Sequence, residues 1–307
     1  MQWSQIKTLF ILCFLLLNIY LFIQFIDKQN KADIGVLDNP ESTIEQKLES
    51  DKIKVKDIQV DVKEASYIKV SQKTYTDADL KLLDKLKNQT TAVINKNFIV
   101  SQFNKPITIP EKAKKDDLKT IMESNMIFPD NYVYWGKNEE KNILIFFQHQ
   151  NNHPIYFNQH GLVLVYLNDK NEMAFYTQTM LGEAEPQGEM KTLNKPIQAV
   201  ETLYNKNHLY MGDEVRIAEI GYYTRILSEG VQVFAPTWNV SVNDERNYFV
   251  NAIEGLVITS NDMEFLETTI ESNRDTIRQL DDSNKMKRGI LAHLEQLLEE
   301  SNRSEVE

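Results

Sequence analysis

Apolar positions fall into three patterns along the chain. From Leu9 to Ile26 the sequence reads LFILCFLLLNIYLFIQFI, eighteen residues without a charge, bracketed by Lys7 and by Asp27 and Lys28. At roughly 1.5 Å of rise per residue such a helix spans about 27 Å, close to the ~30 Å hydrocarbon core of a bilayer. The pattern predicts a single transmembrane helix. A cleaved signal peptide has a shorter apolar region ending at a small-x-small site, and Gln24 to Lys28 offer none, so the helix reads as an uncleaved anchor. The short Lys7 end precedes a long polar region that must be translocated, which predicts a cytoplasmic N-terminus and an extracellular C-terminus. Asn18 and Gln24 are polar groups within the span, where such groups bond across helix interfaces. Phe14, Asn18, Leu21 and Phe25 are the candidate transmembrane partner contacts, and Cys13 reads as a small apolar filler.

Beyond a polar linker over residues 29–50, which runs into a short helix, the period changes to two. Ile53 and Val55, then Ile58, Val60 and Val62, alternate with polar residues and predict a strand at a sheet edge or in an antiparallel pair. Thr76 and Asp79 form a capping-box pattern ahead of Leu80, Leu83 and Leu86, and Asp116 or Asp117 starts a helix through Leu118, Ile121 and Met122. Tyr132–Trp135, Ile143–Phe147, Ile155–Phe157, Gly161–Leu167 and Met173–Met180 read as strands joined by spacers too short for parallel crossovers. A helix over Pro196–Asn205 precedes alternating strands at Val231–Val233, Trp238–Val242 and Tyr248–Val250, and residues 253–258 close the sheet on a Gly turn.

The third pattern is a heptad frame: Leu266, Ile270, Ile277, Leu280, Leu291, Leu294 and Leu298, interrupted by Asn273, Asn284 and Lys287. The Asp281–Asn284 cluster and Gly289 favour a helical hairpin or broken helix over a coiled coil. The predicted fold is α+β: an anchor over 1–28, a linker over 29–50, exterior α/β subdomains with antiparallel sheets over 51–125 and 126–262, and a helical extension over 263–307.

The net charge is −11, and because residues 1–26 hold one Lys and no acid, residues 27–307 carry −12. An acidic exterior excludes nucleic acid as a partner, since phosphate binding needs Lys and Arg. Lipid contact is confined to residues 9–26. With one cysteine, neither an intrachain disulfide nor a thiolate metal cage can form.

Several residues carry a family resemblance. Trp3, Lys7-Thr8 and the Asn18-bearing apolar run are followed by Tyr176–Thr179, Gly182-Glu183, the Pro196–Tyr204 helix, and Pro236–Val240 leading to Tyr248–Ala252. Together they resemble the YycI (WalI) regulatory proteins of low-GC Gram-positive bacteria over most of residues 1–260. The Trp-containing strand, charged turn and Asn-Ala-x-x-Gly ending are also similar to PepSY-type domains. The resemblance implies an accessory protein of the cell membrane. It associates, with a YycH-like partner, with the sensor histidine kinase WalK (YycG) that controls cell-wall metabolism, through transmembrane and exterior contacts. A second copy of the chain is a candidate partner as well. The 263–307 segment departs from the family pattern.

Catalytic chemistry finds little footing. His149, His153 and His160 are dense enough to suggest a metal, yet Asn151-Asn152 and Pro154 make the segment a turn, so no metal site is expected. Glu183, Glu185 and Glu189 suggest a glycosidase pair, but nothing apolar surrounds them to raise a pKa, and a solvated acidic loop is expected. Glycine-rich phosphate loops, G-x-S-x-G and HExxH are absent. No enzyme activity and no cofactor are predicted. Tyr132, Tyr134 and Trp135 are the candidate exterior docking residues. The rival functions are an extracytoplasmic sensor for a wall fragment or peptide and, third, a wall hydrolase.

Overall fold

The apolar N-terminal run forms helix α1 (Trp3–Asp33) in a computed structural model that describes residues 3–33, 43–56, 62–110, 113–226, 230–259 and 261–304. Its side chains are described at Lys7 and from Phe10 to Gln24, and all are exposed, including twelve large apolar ones. Among the described residues no helix is long and apolar enough to cross a membrane. Fifteen consecutive positions, 10–24, span about 22 Å. The chain divides into Met1–Lys47 and Leu48–Glu307.

The division falls within α2 (Ile44–Ser50). Strands β1 (Lys54–Lys56) and β2 (Glu64–Ser71), helix α3 (Asp77–Leu83), the hairpin of β3 (Gln89–Ile94) and β4 (Phe98–Thr108), and α4 (Lys115–Glu123) come first. Next are β5 (Tyr132–Asn138), β6 (Ile143–Gln150), β7 (His153–Pro154), β8 (Leu162–Leu167) and β9 (Glu172–Thr179). Strand β10 (Glu185–Thr192), helix α5 (Pro196–Asn205), and strands β11 (Glu214–Tyr223), β12 (Val231–Val242), β13 (Arg246–Asn251) and β14 (Val257–Thr259) lead to helices α6 (Asp262–Ile277) and α7 (Lys285–Ser304). The capping box of α3 forms, with Thr76 N–H donating to Asp79 Oδ2 at 2.9 Å and Asp79 N–H to Thr76 Oγ1 at 3.3 Å.

One sheet has the order β3-β4-β9-β8-β6-β5, antiparallel throughout, with β7 paired to β6. Its central strands are continuous apolar runs because both faces are covered. Leu144, Phe146, Val163 and Val165 face α3 and α4 with Leu118 and Met122, whereas Ile143, Ile145, Phe147, Leu162 and Leu164 face Leu266, Ile270, Ile277, Ile290 and Leu294 of α6 and α7. The C-terminal helices therefore form a hairpin that seals the second face of this sheet. Their break falls at residues 278–284, where Ser283 N–H donates to Asp281 Oδ1, while Gly289 stays inside α7. Two of the heptad interruptions have jobs there. Asn273 is buried and bonds Tyr166 and Thr177 of the sheet, and Lys287 Nζ closes the turn on Leu280 O at 2.6 Å. Lys141, only 1% exposed, donates from Nζ to Leu297 O at 2.9 Å and so ties α7 to the β5–β6 turn.

The other sheet has the order β1-β11-β12-β13-β14, with β2 joined to both β12 and β10. Helix α5 lies against β12, and Trp238 is fully buried with Nε1–H donating to Asn194 O at 2.9 Å. The predicted edge strand at Ile53–Val55 is β1, but it pairs parallel with β11, a partner 160 residues away that local spacing cannot reveal; Ile58 and Val60 lie outside the described residues. The expected loop at 182–188 is corrected too: Glu185–Thr192 is an exposed edge strand, bulged between Gln187 and Lys191 around Gly188 at φ 80°. Pro186 and Gly188 argue against a strand, yet an edge uses only one side of the ladder and tolerates them. Strands from residues 89–108 and 132–179 share one sheet, so a border at 125/126 would run through it.

Asp213, 6% exposed, anchors the β11 end of this second sheet. Burial pushes its carboxyl up, but hydrogen bonds from Tyr210 N–H (2.8 Å), Arg246 (2.7 Å) and Asn243 (2.8 Å) outweigh that and hold its pKa below the ordinary Asp value. A depressed carboxyl stabilises the fold above the unfolded-state pKa of about 4 and loses that contribution as pH falls through the folded value. Asp213→Asn should cost about 2 kcal/mol at pH 7 and flatten the acid limb of stability below pH ~4. Urea unfolding at pH 7 and pH 3.5 checks both, and an unchanged acid limb would sink the linkage.

Candidate docking cleft and family

Strand β5 turns its alternate side chains to opposite faces of the first sheet. Tyr132 and Tyr134 face α4, and Trp135 faces the C-terminal hairpin, packing edge-on to Tyr156 (5.6 Å between centroids) and Phe157 (5.9 Å) and tilted against Phe147 (5.2 Å). The three proposed docking residues are therefore separated by the sheet itself. Tyr132 is 4% exposed and donates its hydroxyl to Thr179 O at 2.6 Å, so it is floor rather than surface. Tyr134 packs edge-on against Phe146 at 5.2 Å, half-buried.

Around Tyr132 and Tyr134 lies a cleft of about 310 Å³ between α4, the β5–β6 edge and β11. Its floor is apolar: Met122, Met126, Pro129, Tyr132 and Phe146. Its rim carries Lys115, Asp116, Lys119, His149 and Glu219. The 3-10 turn Pro129–Asn131, entered through Phe128 at φ 56°, sets the floor, and His149 Nε2 meets Asp130 O at 2.7 Å across its edge. Partial burial raises the Glu219 carboxyl above its ordinary value, opposed by Lys115. Val133, 38% exposed, borders the opening. An apolar floor with a mixed-charge rim suits an apolar side chain of a protein partner, with rim charges fixing orientation. Lys115, Lys119 and Glu219 escaped the sequence reading because β11 reaches this edge from more than 60 residues away; only the i, i+4 pair Lys115–Lys119 carried a local signal.

The other candidates part company. His149 is at this cleft, His153 lies 6.2 Å from Tyr222, and His160 bonds Gln232; among the described residues no group of three or more His, Cys, Asp or Glu is placed to hold a metal. Lys69 beside Glu185, at 2.9 Å, lowers the Glu185 carboxyl, the reverse of what a glycosidase acid needs. In α1, Phe14, Asn18 and Leu21 are exposed, Asn18 has no hydrogen-bond partner among the described residues, and the side chain of Phe25 lies outside them. Gln24 instead donates to Tyr20 OH at 2.9 Å, one helical turn back.

The model of the YycI protein family matches residues 33–253. The chain belongs to the YycI family. That match stops before α6 and α7, although the hairpin they form completes the core of the first sheet here. Comparison with curated proteins returns no match. Among solved structures, an uncharacterized protein from Eubacterium rectale ATCC 33656 is similar at a TM-score of 0.42 and 10% identity, covering 69% of this chain and 92% of that one. The C-terminal domain of YpeB from Bacillus megaterium is similar at a TM-score of 0.31 and 11% identity, covering 71% of this chain and 96% of that one.

Proposed function

We propose that the chain is a membrane-anchored, non-catalytic accessory protein that binds and regulates a sensor histidine kinase controlling cell-wall metabolism, together with a YycH-like partner. The observation that carries this reading is α1, whose twelve large apolar side chains within residues 10–24 are uncovered on every side, in a chain of the YycI family. At about 1.5 kcal/mol for each such side chain withdrawn from water, lipid or partner helices recover on the order of 20 kcal/mol. Residues 9–26 are the anchor, and the amide of Asn18, without a hydrogen-bond partner among the described residues, forms the interhelical contact together with Phe14, Leu21 and Phe25. The exterior unit adds the cleft at Tyr134 and Val133. Regulation requires only that these contacts differ between two kinase states by a few kcal/mol, because the membrane raises local concentration.

Co-purification from membranes tests both surfaces. Exchanging residues 1–27 for an unrelated anchor should cut recovery of the kinase and the YycH-like protein about tenfold or more, the weight of one or two interhelical hydrogen bonds. Val133→Glu with Tyr134→Ala should give a comparable loss by spoiling the mouth of the cleft. Full recovery of the same partners by both variants would refute the regulatory contact.

A further inference from the structure

A second cavity, of about 460 Å³, opens on the opposite side of the sheet from the cleft, between α6, the β3–β4 turn and the residues ahead of β8. Its chemistry is unusual for a chain that is 26% charged: among the described residues lining it none is Lys, Arg, Asp or Glu. Six amides line it, Gln72, Asn95, Asn97, Gln159, Asn273 and Gln279. Hydroxyls of Thr179, Ser272 and Thr276, the imidazole of His160, whose Nδ1 meets Gln232 Nε2 at 2.6 Å, and the ring of Phe98 complete the wall.

Five of these amides are oriented before any ligand arrives. Asn95 Nδ2 donates to Gln279 Oε1 at 3.0 Å, and Asn97 Nδ2 donates to Gln72 Oε1 at 3.0 Å. Each pair therefore keeps a carbonyl oxygen and an amide nitrogen for something else. Asn273, 7% exposed, spends Nδ2 on Tyr166 OH (3.2 Å) and Thr177 Oγ1 (3.1 Å), and its Oδ1 has no hydrogen-bond partner among the described residues. That oxygen is free to accept from a donor that enters the cavity.

The lining selects its ligand by elimination. An apolar molecule would strip water from the amides and return no hydrogen bonds, and an ion would leave its hydration shell with no carboxylate, ammonium or guanidinium to meet. Hydroxyl groups donate and accept at once, so they satisfy both halves of an oriented amide. The volume lies within the roughly 300–1,000 Å³ of small-ligand sites. We propose that this cavity binds a neutral, hydroxyl-rich ligand, a segment of an uncharged glycan chain. The site does not rest on kinase binding, since partner capture and sugar binding are read in separate assays.

The test is saturation-transfer NMR and calorimetry on the full chain in lipid nanodiscs, with cellotetraose and chitotetraose as neutral probes and glycerol and an anionic tetragalacturonate as controls. At least one neutral tetrasaccharide is expected to bind and both controls to fail. Thr276→Val and Gln279→Leu should each weaken binding about tenfold, the loss of one ordinary hydrogen bond, and Asn273→Leu by at least as much. Asn273 also supports the sheet, so Thr276 in α6 and Gln279 in the turn after it decide the matter if that variant does not fold. The proposal is overturned if neither tetrasaccharide binds, if affinity is unchanged in the Thr276→Val, Gln279→Leu double variant, or if a control binds as well. Tighter binding of acetyl-tetraalanine amide than of either sugar also overturns it and makes the cavity a peptide site.

Discussion

Arginine at both Leu15 and Leu16 is expected to remove the protein from alkali-washed membranes, whereas isoleucine at the same two positions leaves it there. Both leucines are exposed at the middle of α1. An arginine at the centre of a spanning helix costs about 2.5–3.5 kcal/mol of insertion free energy, and each lost leucine removes about 0.5 more. Two substitutions therefore cost on the order of 6–8 kcal/mol, enough to reverse the partition of a marginal anchor. The isoleucine pair keeps the apolar area and so keeps the anchor. Immunoblotting of carbonate-washed pellets and supernatants reads the outcome, and protease added to intact cells reads the side on which Leu48–Glu307 resides. Retention of the double-arginine chain would mean that the membrane is reached by another route, and the anchor reading would fail.

Gly221→Ala should lower stability by about 1–3 kcal/mol and Gly221→Val by more, the range for forcing extra carbon into a packed interior. A Cβ built on Gly221 would sit 2.3 Å from the Tyr156 ring and 2.5 Å from Pro154 O. A ring can turn aside, but the carbonyl belongs to a backbone held on both sides, by Tyr156 N–H donating to Tyr222 O at 2.9 Å and by the parallel bridge Ile155 to Tyr222. Here β11 of one sheet passes the β7 end of the other backbone to backbone, and only a residue without a side chain fits between them. Gly136→Ala is the control, because nothing lies within 4 Å of its added Cβ and its φ is ordinary. Thermal unfolding should show a loss of roughly 2–4 °C per kcal/mol for a domain of this size. The same variant should weaken cleft-dependent partner capture, since Pro154 and Glu219 both border that cleft. Equal melting of Gly221→Val and the wild type would show that the two sheets do not meet here.

Local patterning determined much of this protein. An unbroken apolar run makes α1 a helix with no polar face, Thr76 and Asp79 build their reciprocal cap, and the runs Ile143–Phe147 and Leu162–Leu167 are strands because β-branched and aromatic residues suit a pleated surface. The break of the C-terminal heptad at Asp281–Asn284 likewise marked a hairpin. These properties depend on neighbours within a turn or a strand, and so they are written in order along the chain.

What shares a face, and with which distant segment, was decided by the folded chain. Tyr134 and Trp135 are adjacent in sequence, yet a bulge and the pleat send one to the cleft and the other to the aromatic core beneath α6 and α7. Continuous apolar strands announce that both faces are covered but not by what, and here one cover is α3 and α4 and the other is a hairpin more than 100 residues downstream. β1 meets β11 in parallel, Glu219 reaches the α4 rim, and six amides from well-separated segments converge on one cavity lined by no Lys, Arg, Asp or Glu among the described residues. Period and composition act over a few residues, whereas closing a sheet against a helix or a loop depends on burial summed over the whole chain, which no local stretch contains.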